Sequence, residues 1–169
     1  MKKTVAHIFL FLSFLISISL SQVQIGDWKA FTSPLKINSI TSIGDSIICA
    51  TSGGLLIKHG EQVNTLSKID GLYGVDIVVI GRDDYHNIWL GGNSPNGFIQ
   101  IYNFNKGSID VFDYGLTSIG EFWISDSLAF ASFVDGQDVG LIKFIYEDKK
   151  WSYRDIYKNF PSSIESISG

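Results

Sequence analysis

The side chains in this sequence that are capable of chemistry fall into a few short constellations. Asp83-Asp84 and Asp135-Gly136-Gln137-Asp138 cluster carboxylates, the oxygen donors that a hard cation requires. Neither shows the alternating acids and closing Glu of a calcium loop. Asp in hairpin turns satisfies the backbone itself, so both read as structural turns. His59 and His86 lie in expected turns with no ligand partner at useful spacing, whereas a zinc site needs several such residues converging. His7 belongs to an N-terminal leader. Cys49, in Ile47-Ile48-Cys49-Ala50, reads as a small buried hydrophobe. There is no Gly-x-Ser-x-Gly, no phosphate-binding Gly-rich loop and no acidic pair in a glycosidase context. No catalytic, cofactor-binding or metal-binding residue is assigned, no cofactor is expected, and the binding residues stay open. Among the tryptophans, Trp89 between Ile88 and Leu90 is expected to pack in a core, and Trp123 within Phe122-Trp123-Ile124 to be buried. Trp28 and Trp151, beside polar residues in outer strands, are the better candidates for a surface platform, with packing still the first expectation there.

The elements that must position these residues are short strands. Hydrophobic residues make up 45% of the chain and charged ones 18%, which excludes intrinsic disorder. Aromatics at 14%, 17 Gly and only 3 Pro suit many strands joined by tight turns. Residues 1–21 form a leader. Lys2 and Lys3 precede the apolar run Ile8 to Ile18, and Ser19-Leu20-Ser21 places small residues before a cleavage point at Gln22. The alternative, an uncleaved anchor, would need roughly 20 apolar residues, more than this run supplies. The expected mature segment, 22–169, has no membrane span. It carries scattered charges with an acidic excess and no basic stripe, so nucleic acid is excluded as the expected partner. With a single cysteine, no internal disulfide can form, and packing must supply the stability.

The chain repeats itself. Gly54-Leu55, Gly97-Phe98 and Gly140-Leu141 recur with a period of about 43 residues, each opening an apolar strand after a turn. Asp45-Ser46-Ile47-Ile48-Cys49-Ala50 closely resembles Asp126-Ser127-Leu128-Ala129-Phe130-Ala131. Such a period filled with short strands predicts propeller blades. In the middle copy, strands are expected at 76–81, 87–91, 98–103 and 108–112, with Asp70-Gly71-Leu72 and Tyr114-Gly115-Leu116 marking the crossings between blades. The fold is therefore expected to be all-β, a partial β-propeller of about three four-stranded antiparallel blades at about 37–72, 73–116 and 117–161. Residues 162–169 begin a further copy, and 23–31 form an outer strand completing a last blade. This pattern reads as the N-terminal fragment of a longer protein.

The middle copy carries the phrase Asp70-Gly71-Leu72, Ile77-Val78-Val79-Ile80, Asp83, Asn87-Ile88-Trp89-Leu90-Gly91 and Gly97. It resembles the short repeat in the periplasmic propellers of bacterial two-component regulators. In those a Gly-Leu is followed by an apolar strand, an Asp-containing turn and an aliphatic-Trp-aliphatic-Gly strand. The stretch from Trp28 to Gly54-Leu55, with Leu66-Ser67-Lys68-Ile69-Asp70-Gly71-Leu72, is similar to the N-terminal propeller of PorZ-like surface proteins of the type IX secretion system. The resemblance covers 28–116 closely and 117–167 loosely, since the third copy lacks the Trp-Leu-Gly phrase. It implies export to the periplasm, cell surface or exterior of a Gram-negative bacterium, and an envelope glycan, lipopolysaccharide or protein as partner. The expected function is a non-catalytic binding or scaffold module linked to type IX secretion or surface assembly. The alternative is the ligand-sensing propeller of a two-component regulator, and a carbohydrate-cleaving enzyme is a weaker third. Binding is expected in the loops 92–97 and 133–139.

Overall fold

Alternating apolar and polar residues over short spans, punctuated by Gly, Asn and Asp, dictate strands and tight turns. The computed structural model, which describes residues 36–158, contains twelve such strands. The first sheet holds β1 (Ile37–Ile43), β2 (Ser46–Thr51), β3 (Gly54–His59) and β4 (Gln62–Leu66). The second holds β5 (Ile77–Arg82), β6 (Ile88–Gly92), β7 (Gly97–Asn103) and β8 (Gly107–Leu116). The third holds β9 (Ser118–Ser125), β10 (Leu128–Asp135), β11 (Asp138–Glu147) and β12 (Lys150–Tyr157). Each sheet is an antiparallel meander in which spatial order follows chain order, and none closes on itself among the described residues. The fold is all-β. The one helical element among the described residues is a single 3-10 turn, Lys68–Asp70. The expected leader at 1–21, the strand expected at 23–31 with Trp28, and the further copy expected at 162–169 lie outside the described residues.

The sheets pack face to face, and β5 lies against both β1 and β9. The middle sheet is covered on both sides. That explains why β6 and β7 are buried along their whole length and read as nearly unbroken apolar runs, Ile88-Trp89-Leu90 and Phe98-Ile99-Gln100-Ile101-Tyr102. Toward the first sheet, Ile77, Ile80, Ile88, Leu90 and Phe98 meet Ile48, Ala50 and Leu55. Toward the third, Trp89, Ile99 and Ile101 meet Ala129, Ala131, Phe133, Ile142, Phe144 and Trp151. Each large side chain so buried contributes roughly 1.5–3 kcal/mol.

Two features recur in all three sheets. The first is the glycine. A Cβ on Gly54 would strike the carbonyl oxygen of Leu66, one on Gly140 that of Tyr157, and one on Gly97 would stand 3.1 Å from that of Leu116. Those carbonyls belong to the last residues of β4, β12 and β8, so the glycine lets the third strand pass beneath the end of the fourth. Gly54 and Gly97 open their strands, whereas Gly140 is the third residue of β11, because the turn before it is tighter. The second feature was not legible in the sequence. A register shift interrupts the pairing of first and second strands at Ile37/Ser39, Ile77/Val79 and Ala131/Phe133. An extra residue of this kind sharpens local twist, and in every sheet it falls near the start of the first strand.

Asp70-Gly71-Leu72 lies between the first two sheets as expected, and the second crossing differs. Tyr114-Gly115-Leu116 ends β8 rather than lying between sheets, and Thr117 alone leads into β9. The earlier crossing, from Ser67 to Asp76, is long and pinned. Gln100, with no solvent exposure, accepts from the Tyr73 N–H at 2.9 Å and donates to Gly71 O and Ser108 Oγ, both at 2.9 Å. Gly71 adopts φ 96, the left-handed conformation that ends the 3-10 turn.

Candidate functional site

The turn joining β5 to β6 organises the most developed polar site in the molecule. Asp83 is only 8% exposed. Its Oδ1 accepts from the backbone N–H groups of Tyr85 and Asn87, both at 2.9 Å. Its Oδ2 accepts from Asn87 Nδ2 at 2.9 Å, from Trp89 Nε1 at 3.3 Å and from Trp151 Nε1 at 2.7 Å. A carboxylate offers about four lone-pair positions, and these donors occupy its accepting capacity. Asp83 is therefore a structural anion that latches sheet two to sheet three through Trp151, with no capacity left for a cation.

The side chains of this turn divide. Asp83 and Tyr85 engage the third sheet, where Tyr85 stacks on Tyr146 with ring centroids 3.6 Å apart. Arg82, Asp83, Asp84 and His86 line a cleft on the side of the first sheet, with Ile43 and Gly44 from the end of β1 and the β1–β2 turn. Its volume is about 300 Å³. Arg82 spans the gap, donating from Nη1 to Ser42 O at 3.0 Å. Arg82 and Asp84 do not pair with one another. An ion pair joins Lys158 and Asp135 at 3.6 Å.

The other candidates resolve as follows. Asp135 and Asp138 face each other across the two-residue turn Gly136-Gln137, so residues 133–139 are mostly strand rather than a long loop. The β10 and β11 ladders extend right up to the turn, leaving little chain to display there. The loop at 93–96 is partly committed to packing, since Asn93 Oδ1 accepts from the Ile119 N–H at 3.0 Å and its own N–H donates to Asp76 O. No group of three or more His, Cys, Asp or Glu side chains is placed to hold a metal among the described residues. His59 ends β3, exposed, with Nδ1 3.0 Å from Ser46 Oγ. His86 sits in its turn at φ 63, and its carbonyl accepts from Asn103 Nδ2. Cys49 is buried. Trp89 is fully buried, its ring 5.0 Å from Trp151 and 5.3 Å from Phe144, both edge to face.

Of two further tryptophans, Trp151 is packed, the first expectation for it, and Trp123 departs from its expected burial. Trp151, a platform candidate, is 3% exposed and belongs to the core, because its indole N–H is drawn inward to Asp83. Trp123, expected to be buried, is half-buried beside Phe130 at 6.0 Å. It points to the face of sheet three turned away from sheet two, since its strand neighbours Phe122 and Ile124 take the inner face.

The groups with shifted pKa values lie along the outer strands and turns. Burial, then Tyr153 and Asp110, push Tyr114 up to about 12. The Gly115 N–H and then the Tyr73 hydroxyl hold Asp113 below the usual carboxylate range, and the same bond, at 2.7 Å, raises Tyr73. Burial is the first cause of the rise at Tyr85. These shifts follow from burial, structural hydrogen bonds and neighbouring ionisable groups.

Sequence reasoning missed the Asp83–Trp151 latch, the Gln100 anchor and the Arg82 cleft. Gln100 did carry a signal, a lone amide in an apolar strand. The latch joins residues 68 positions apart and had none. No family model matches the chain, and the search of curated proteins returns no match. Among the described residues no helix is long and apolar enough to cross a membrane.

Proposed function

We propose that the three sheets are successive blades of a β-propeller in an exported bacterial envelope protein, and that the propeller is a non-catalytic scaffold binding a glycan or protein partner. The observation that carries this reading is the placement of β1, β5 and β9. The first strand of the middle meander lies against the first strands of both neighbours, and the sheets stack face to face around that line, as blades do around an axis. The internal repeat supports it, with its glycines and register shifts at matching places. A scaffold role is supported by the use of buried polar groups. Asp83, Gln100 and Asn103 bond to the molecule's own donors and acceptors, and no buried side-chain polar atom among the described residues lacks a partner. Such groups set architecture, whereas acid–base chemistry needs a titratable group aimed at a substrate. The leader at 1–21 and the resemblance to PorZ-like and two-component-regulator propellers support placement in the envelope, with surface assembly by type IX secretion as the corresponding role.

The test is sedimentation of the full chain with isolated lipopolysaccharide, peptidoglycan and outer-membrane protein fractions, with chromatography of the supernatant. The expected result is retention by one of these without release of fragments. Release of saccharide products would overturn the non-catalytic reading. N-terminal sequencing from envelope fractions should find a start at or near Gln22, and retention of Met1 would remove the export step.

A further inference from the structure

We propose that the cleft between the β1–β2 and β5–β6 turns binds a pair of neighbouring hydroxyls on a sugar ring. The proposal gives the binding module a site and a ligand class, and it rests on that reading. A single cleft presents a guanidinium, Arg82, and a carboxylate, Asp84, that are not ion-paired to each other. Opposite charges within reach ordinarily close on one another. Here Arg82 is held off by Ser42 O on the first sheet, and Asp84 by a turn whose alternate side chains, Asp83 and Tyr85, are fastened to the third sheet. Both side chains are exposed at the cleft, and Arg82 bonds to Ser42 O rather than to Asp84.

The occupant of such a gap must accept from Arg82 and donate to Asp84. Adjacent hydroxyls do both, each being donor and acceptor at once. Asp83 also lines the cleft, but its two oxygens are filled by five donors, which leaves Arg82 and Asp84 as the charged groups placed to bond an occupant. Ile43 offers an apolar wall for the C–H face of a ring, and His86 adds a further polar edge. Gly44, at φ 55, has nothing within 4 Å of the place a Cβ would stand, leaving its peptide open. The volume of about 300 Å³ is at the small end for ligand pockets, enough for one ring and not for an extended chain.

The experiment is an amide chemical-shift titration of the full isotope-labelled chain with glucose, galactose, mannose, N-acetylglucosamine, sodium phosphate and free glycine. At least one neutral sugar should shift the amides of Gly44, Arg82, Asp84 and His86 saturably, in the millimolar range. Arg82→Gln and Asp84→Asn should each weaken it by about tenfold, the effect of losing one charge-assisted hydrogen bond. Because Arg82 also ties β5 to the first sheet, Asp84→Asn, at an exposed side chain, is the decisive variant. Response to phosphate alone, response to glycine alone, or sugar shifts indifferent to Asp84→Asn would each overturn the proposal. Silence of the cleft while envelope glycan still retains the chain would reject this site and leave the binding module standing. Silence of both would reject the two together.

Discussion

The two seams of this molecule are built differently. Between sheets one and two the packing is mainly aliphatic, with Ile48, Ala50, Leu55, Ile77, Ile80, Ile88 and Leu90 at its centre. The polar ties there run between first strands: Asn38 Nδ2 donates to Ile77 O at 2.7 Å, the Ile80 N–H to Ser39 Oγ at 3.4 Å, and Arg82 to Ser42 O. Between sheets two and three the packing is aromatic across the width of the sheets. Trp89 touches Phe122, Phe144 and Trp151, Phe112 touches Phe144, and Tyr114 meets Tyr153 at the outer edge. Aliphatic side chains fill space without much regard to direction, so the first seam takes its register from its innermost strands. Rings with N–H handles prefer particular angles and need an acceptor, so the second seam takes its register from Asp83 and its two indoles. The same repeat thus meets one requirement, a dry joint in a defined register, by two chemistries.

The largest expected effect is at Trp89. Trp89→Ala should cost about 3–5 kcal/mol, a large part of a domain's usual stability. Leu90→Ala, one residue on and facing the aliphatic seam, should cost less, toward the lower end of about 2–5 kcal/mol, because small neighbours can close in. Urea midpoints of the two variants measure this. Equal losses would mean that the seams do not differ in the way the rings suggest.

Next comes the latch. Asp83→Ala leaves the indole N–H groups of Trp89 and Trp151 and two turn amides without their acceptor, which should cost on the order of 3 kcal/mol. Gln100→Leu, on the face toward the aliphatic seam, strands the Tyr73 N–H and Gly71 O nearer the surface and should cost about 1–3 kcal/mol. Tryptophan emission should shift to the red in the first variant and stay in place in the second. A larger loss at Gln100 would invert the comparison.

The repeat glycines sharpen it further. Gly54 has φ 116 and a carbonyl where a Cβ would go, so Gly54→Ala should cost at least about 1–3 kcal/mol. Gly97, without a positive φ and with its carbonyl neighbour at 3.1 Å, should lose about 1 kcal/mol or less. Thermal midpoints separate the two, and the reverse order would show that φ and the carbonyl's approach do not set the cost.

The smallest effect is expected at the exposed Tyr73–Asp113 bond. The folded state depresses the Asp113 pKa, so the bond's contribution is full above the ordinary carboxylate range. It is lost as pH falls through the folded value. Solvent screening keeps it small. Asp113→Asn should lower stability slightly at neutral pH and not at all in acid. A gap that persists or widens in acid would show that the bond contributes through something other than the carboxylate's charge.

Much of the sheet structure was legible in the residues. Ile88-Trp89-Leu90 and Phe98-Ile99 announce strands covered on both faces, the spaced glycines announce a repeat, and short spacing between apolar runs dictates antiparallel meanders, because two-residue turns such as Gly136-Gln137 can join nothing else. Local chemistry decides these things, and local chemistry is what a sequence displays. Tertiary structure alone decided which side each turn residue serves. Trp151 reads as an outer-strand residue beside polar neighbours, and it is core only because Asp83 arrives from another sheet to accept its N–H. Asp83 and Asp84 are identical, adjacent and line the same cleft, yet the first is filled by five donors and the second by none of them. The cleft depends on Ser42 and Arg82 meeting across a seam, and such a meeting is set by how sheets twist and stack, which the spacing of residues along the chain does not encode.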